Sequence, residues 1–262
     1  MPFFRRCSSI GLVLPLVFGT ASGLMLEAIR STVTLAQTAS DSEADQLIEE
    51  GIELHNAQQS RQALSKFQAA LELYRQVGSR SGELTALNNI GSAYTSLRNY
   101  SEALYHYEEI LALMRELGYR PGEAKALDRV GFLHMILGNN SQALQYYQEG
   151  LALTRELQDR SGEARALDNI GNLYARLENY PQALQYYEES LTIAQELGDR
   201  SSEAEFLNRI GVFYSNYLDN DSEALRYYKE SLMLARELMD SHAEGIALSN
   251  IRGVYTNFSN YL

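Results

Sequence analysis

Apolar residues return at every third or fourth position through most of this chain. Leu167, Ile170, Leu173, Tyr174 and Leu177 form one such stripe, the mark of an amphipathic helix. A polar break follows at Glu178-Asn179, and Pro181 suits the first turn of a new helix, where its missing N–H is no loss. The spacing restarts at Ala183, Leu184, Tyr187, Leu191 and Ala194 and stops at Gly198-Asp199. The pattern predicts two helices between 159 and 198. No stretch shows the period of two that a half-buried strand needs, so no strand is expected.

The whole pattern then recurs. DRSGEARALDNIGNLYARLENYPQALQYYEESLTIAQEL, from Asp159 to Leu197, aligns with Tyr119–Leu157 forty residues earlier and with Ser79–Leu117 before that. It also aligns with Asp199–Leu238, which carries one extra residue near Leu218–Asp221, between the two helices. An insertion there costs little. A fixed period of this size marks a stacked-repeat array. The repeats fall at about 43–78, 79–118, 119–158, 159–198 and 199–239, with a partial copy at 240–262. The first is less regular, with Glu50 where later copies have Ile90, Val130, Ile170 and Ile210. Atypical end repeats are expected where one side faces solvent.

Gly91, Gly131, Gly171 and Gly211 sit mid-helix, where glycine costs roughly 1 kcal/mol against alanine. A cost repeated in every copy implies close approach of the paired helix at Ala103, Ala143, Ala183 and Ala224, with Tyr107, Tyr147, Tyr187 and Tyr228 filling the space beside it. In the last copy Leu248, Ile251, Val254, Tyr255 and Phe258 keep the apolar spacing, but Arg252 takes the glycine position. That predicts a lone helix docked on the helix over 223–238, with an unpaired apolar side around Tyr255 and Phe258 that favours self-association or a partner helix.

Glycine, a large residue three on, alanine nine later and an aromatic four after that resembles the tetratricopeptide repeat. The forty-residue period and the DRSGEARAL…NIGNLY wording are similar to the longer variant of Pins-type adaptors and kinesin light chains, and to cyanobacterial arrays that often precede a caspase-like CHAT domain. The resemblance covers Asp41 to the C-terminus and implies an all-α, right-handed superhelical solenoid of antiparallel helix pairs. It also implies that the first helix of each pair lines a concave face. That face would carry Asn88, Asn89 and Ser92; Lys125, Asp128 and Arg129; Arg165, Asp168, Asn169, Asn172 and Arg176; and Glu205, Asn208, Arg209 and Asn216. Five of these are cationic and three anionic, in a chain of net charge -12. Asparagine can pair with a peptide backbone and arginine can fork onto a carboxylate. The peptide-binding residues expected are Asn88, Asn89, Lys125, Arg129, Arg165, Asn169, Asn172, Arg176, Asn208 and Arg209. The implied function is a non-enzymatic scaffold that holds a protein or peptide, with an acidic one suited to this face. The alternative is the regulatory part of a caspase-like system whose catalytic domain lies elsewhere.

Charge and composition narrow the rest. A net charge of -12 argues against a nucleic-acid backbone as partner. Residues 1–36 differ from the array: Arg5-Arg6, then an uncharged stretch from Cys7 to Leu26 containing IGLVLPLVFG, then Thr34-Leu35-Ala36. Basic start, apolar middle and small residues predict a secretory leader cut before Gln37, with export to the periplasm or outside. The rival is an uncleaved anchor at 7–26, which would be the chain's one membrane contact. Residues 37–42 read as a polar linker. Cys7 is the sole cysteine, so the mature array has no thiol chemistry. His55, His106, His134 and His242 show no metal-ligand spacing, and His134 takes the core slot of Tyr94, Tyr174 and Tyr214. Glu108-Glu109 and Glu188-Glu189 are adjacent on helices and diverge, so they form no acid/base pair. No catalytic residue, cofactor or metal is expected.

Overall fold

A computed structural model describes the backbone of residues 41–260, with side chains to residue 256. The leader and residues 37–40 lie outside the described residues. Helix α1 spans 41–56. It is followed by α2 (Ser60–Val77), α3 (Arg80–Ser96), α4 (Tyr100–Glu116), α5 (Arg120–Ile136), α6 (Asn140–Glu156), α7 (Arg160–Arg176), α8 (Tyr180–Leu197), α9 (Arg200–Tyr217), α10 (Asp221–Glu237) and α11 (Ser241–Asn260). Asp41 and Ser42, read as linker, are already helical, in the first turn where an acidic residue suits the helix dipole. There is no strand among the described residues. Odd-numbered helices are the first of each pair and even-numbered helices the second.

The repeated wording has local causes. Asp159 accepts from the Gly162 N–H at 2.8 Å, and Asp199 from the Ser202 N–H at 3.1 Å, each capping a first helix. Gly198 closes α8 with φ 64°, a left-handed turn that glycine adopts without strain. Pro181 lies in the first turn of α8.

The mid-helix glycines lie where the pairs touch. A Cβ on Gly171 would stand 2.9 Å from the Tyr187 ring and 3.2 Å from the Ala183 carbonyl oxygen. Gly211 meets Tyr228 and the Ala224 carbonyl in the same way, and Gly51 meets Phe67. The aromatic ring does not merely lie beside the contact; it covers the glycine. Next to each contact a second aromatic pair stacks: Tyr94 on His106, His134 on Tyr146, Tyr174 on Tyr186 and Tyr214 on Tyr227, with centroids 5.2–5.7 Å apart. His134 is buried, and burial lowers its pKa, so it packs as a neutral ring.

A second repeated device escaped the reading of the sequence. Four first helices, α3, α5, α7 and α9, carry a buried glutamate: Glu83, Glu123, Glu163 and Glu203. Glu163 accepts from Arg155 Nε at 2.8 Å and from Arg160 Nη1 at 2.7 Å, while Arg160 reaches on to Glu196 at 2.6 Å. Burial raises the Glu163 carboxyl, but the hydrogen bonds from Arg155 and Arg160 outweigh it and hold the pKa below its ordinary value. Arg75 and Arg80 treat Glu83 alike. The arginine of one second helix is thereby tied to the next first helix, stitching repeat to repeat through charge-assisted bonds.

α11 docks on α10. Val254 is buried with Ala224 and Tyr228, and Ile251 packs against them. Arg252, in the position of the mid-helix glycines, is exposed. Ile246, Leu248 and Tyr255 are exposed on the uncovered side; the side chain of Phe258 lies outside the described residues.

Candidate functional site

The bend of the array is legible in which helices meet. Neighbouring first helices come into direct backbone proximity at α5–α7, α7–α9 and α9–α11, whereas no two second helices do. The side carrying the first helices is therefore the inner one. It is held by side-chain rungs, each joining a residue of one first helix to the first helix before it. Asn169 Nδ2 donates to Asp128 Oδ1. Arg209 pairs with Asp168 at 3.0 Å. Asn250 Nδ2 donates to Asn208 Oδ1 at 2.9 Å.

These rungs divide the ten expected binding residues. Asn169, Asn208 and Arg209 are spent on the seam. Asn172 accepts from the Tyr187 hydroxyl at 2.9 Å, and Asn89 donates to the Thr85 carbonyl in its own helix at 2.9 Å. Asn88, Lys125, Arg129, Arg165 and Arg176 are exposed. None of these four cations makes an ion pair among the described residues. Elsewhere, Arg75, Arg115 and Arg155 of second helices, and Arg80, Arg120, Arg160 and Arg200 in the first turn of first helices, are paired with glutamates.

Two acids sit on the seam, Asp168 buried and Asp128 half-buried. Asp168 is 2% exposed. Burial pushes its pKa up to about 7 against the pull of Arg209, and Glu205 and Asp128 add to the rise. Its Oδ1 has no hydrogen-bond partner. Burial also raises Asp128, while the Asn169 bond and nearby arginines oppose the shift.

Below the unpaired cations lies a cavity of about 530 Å³, bounded by α3 to α7. It brings together Asn88, Lys125, Arg129 and Arg165 of the expected set; Arg176 is not part of it. Its lining includes the apolar Leu84, Ile110 and Met114. Gly150, Tyr119 and Thr154 also line it and were not singled out from the sequence. The signal was there: Gly150 stands where other copies have Ala70, Ile110, Ser190 and Ser231, and Tyr119 where they have Ser79, Asp159 and Asp199. Tyr147 contributes a buried hydroxyl with no partner. Its counterpart Tyr187 has Asn172 as acceptor, but the equivalent of Asn172 near Tyr147 is Phe132. No group of acids, histidines or cysteines fit to hold a metal occurs among the described residues, and no helix there is long and apolar enough to cross a membrane.

Known proteins share this architecture. The chain is similar to the apo form of RapI, with TM-score 0.62 and 16% identity, covering 90% of this chain and 96% of that one. It is similar to the repeats of a kinesin light chain from Podosopora anserina, with TM-score 0.62 and 13% identity over 77% of this chain and 98% of that one. A Rap protein complexed with Competence and Sporulation Factor matches with TM-score 0.58 and 16% identity, over 90% of this chain and 74% of that one. At these identities the likeness is one of fold. No curated protein matches the chain in sequence. The signature of anaphase-promoting complex subunit 5 matches residues 203–252. That of the tetratricopeptide repeat matches residues 51–116 and 122–196, more than half of the chain, and the protein belongs to the tetratricopeptide repeat family.

Proposed function

We propose that the protein is a non-enzymatic interaction scaffold that holds a peptide or helix of a partner protein along its inner face. The observation that carries this reading is a group of exposed cations on first helices that make no ion pair. Lys125, Arg129 and Arg165 line a cavity on the inner side without an ion pair, and Arg176 stands exposed and unpaired on the same set of helices. Charged groups left unpaired on a concave surface are available to a ligand at little desolvation cost. Similarity to a Rap protein solved in a complex supports a ligand-holding role for this fold.

The test is capture from the native extract with the full chain as bait. A partner should be retained by the native protein and by Tyr105→Ala, which changes an exposed second-helix residue. Reversing the charge at Arg165 and Arg176 together should release it. Retention by the reversed variant would place binding elsewhere.

The leader adds a location to the proposal. Arg5-Arg6, the uncharged run to Leu26 and Thr34-Leu35-Ala36 fit export with cleavage before Gln37. N-terminal sequencing of the protein from its own cells should begin at Gln37. A mature chain still carrying Arg5 and Arg6 would instead mean an anchor.

A further inference from the structure

The first helices from α3 to α9 turn one face to the second helix of their own pair. Leu87, Leu127, Leu167 and Leu207 are buried on it, and Tyr94, His134, Tyr174 and Tyr214 stack there on a ring of the second helix. On α11 the equivalent residues are Leu248 and Tyr255, and they are 42% and 53% exposed. Two charged groups of α11 also lack what their counterparts have. Glu163 and Glu203 each hold the first-turn arginine of their own helix, Arg160 and Arg200. In α11 Ser241 takes the place of that arginine, and Glu244 is paired through Oε1 with Arg236 alone, at 2.7 Å. Arg252 stands where Gly211 lies under the Tyr228 ring. It is exposed and makes no ion pair among the described residues. One helix thus presents an uncovered apolar stripe, a glutamate short of an arginine and an arginine short of a carboxylate.

We infer that α11 pairs antiparallel with α11 of a second copy of this chain, about a two-fold axis at Leu248. This surface is separate from the inner face and does not rest on that reading. Glu244 and Arg252 lie four residues before and four after Leu248, and residues four apart are neighbours on a helix. With Leu248 against Leu248, Arg252 of each copy stands opposite Glu244 of the other, so both unfilled positions close at once. Tyr255 lies seven past Leu248 and Ser241 seven before it, so each ring covers the first turn of the other helix. A surface that is its own complement about a two-fold axis closes at two copies. An ordinary second helix is the poorer occupant. It lays a ring on a bare glycine, as Tyr228 does on Gly211, and on α11 Arg252 fills that place. The charge of the chain points the same way. Its -12 opposes self-association, but Glu244 and Arg252 are the whole of the charge on α11 and cancel.

The test is sedimentation equilibrium of the full chain from about 5 to 500 µM, because one helix pair buries less than a standard interface and holds weakly. The native protein should pass reversibly from monomer to dimer and no further. Arg252→Glu sets like charges opposite each other and should weaken the dimer about tenfold or more. Ser241→Arg, which restores the residue of other copies, should satisfy Glu244 within its own chain and weaken the dimer severalfold. Carried together, the two changes should return association to within about threefold of native, a coupling that distant sites would not show. The new arginine would join Glu244 to the new glutamate opposite, as Arg160 joins Glu163 to Glu196. Leu248→Asp should abolish the dimer. All three positions are exposed, so the variants should fold, and unchanged unfolding midpoints check this. A monomer across the whole range, species larger than a dimer, indifference to Arg252→Glu or Leu248→Asp, or a double variant as weak as the single ones overturns the pairing.

Discussion

Replacing Gly171 by leucine lowers the stability of the array by about 3 kcal/mol, at the upper end of overpacking effects. The new side chain must start from a Cβ 2.9 Å from the Tyr187 ring and 3.2 Å from the Ala183 carbonyl. Tyr187 is 2% exposed, and its hydroxyl is bound to Asn172, so the ring has nowhere to swing. The carbonyl belongs to the backbone of α8 and moves only if the helices part. Relief from a mid-helix glycine returns roughly 1 kcal/mol, which does not offset the clash. Gly171→Ala meets the same two obstacles with a smaller group and should cost less. Urea unfolding of the native chain and both variants measures this. Equal or higher stability of the leucine variant would show that α7 and α8 can separate without loss.

Arg209→Ala should destabilise by about 3 kcal/mol at pH 8, the scale of an orphaned buried charge, and by much less at pH 5. The asymmetry follows from Asp168. Its pKa is pushed up to about 7 in the folded chain, against about 4 when unfolded. A carboxyl raised on folding binds a proton in the native state that the unfolded state has already released. Its contribution is fully present below the unfolded pKa and is lost as pH rises through the folded value. Removing Arg209 takes away the main group opposing that shift, so the loss deepens at high pH. Asp168 faces Arg209 and Glu205 on α9 and Asp128 on α5, and both carboxylates work in the same direction as burial. At pH 5 Asp168 is neutral, and the missing guanidinium matters little. Denaturant midpoints at the two pH values read this directly, and Asp168→Asn should flatten the difference. The same loss at pH 5 and pH 8 would mean that Arg209 acts through packing and not through the charge of Asp168.

Much of the architecture was settled by spacing along the chain, because each helix pair is built from contacts within forty residues. The stripe from Leu167 to Leu177 forms one face of α7. Gly171 against Tyr187 joins two residues sixteen apart, and such a relation recurs in every copy. His134 could be placed in the core because its counterparts are Tyr94, Tyr174 and Tyr214. The docking of α11, and the exposure of Arg252, follow from the same register.

Which inner-face side chains stay free was decided by tertiary structure alone. Asn169, Asn208 and Arg209 look like Asn88 and Arg129 in a sequence, since each is polar and on the same stripe. Their difference lies in whether a partner on the previous first helix is within reach, and that distance depends on how far successive helix pairs rotate. Burial of Glu163 beneath Arg155 and Arg160 likewise joins residues from two repeats. The parting of α3 from α5 likewise shows only once the repeats are stacked. Free and spent side chains therefore share one pattern along the chain, and only the stacking of repeats separates them, because side-chain pairing across a seam acts over a few ångströms of space and not over a fixed number of residues.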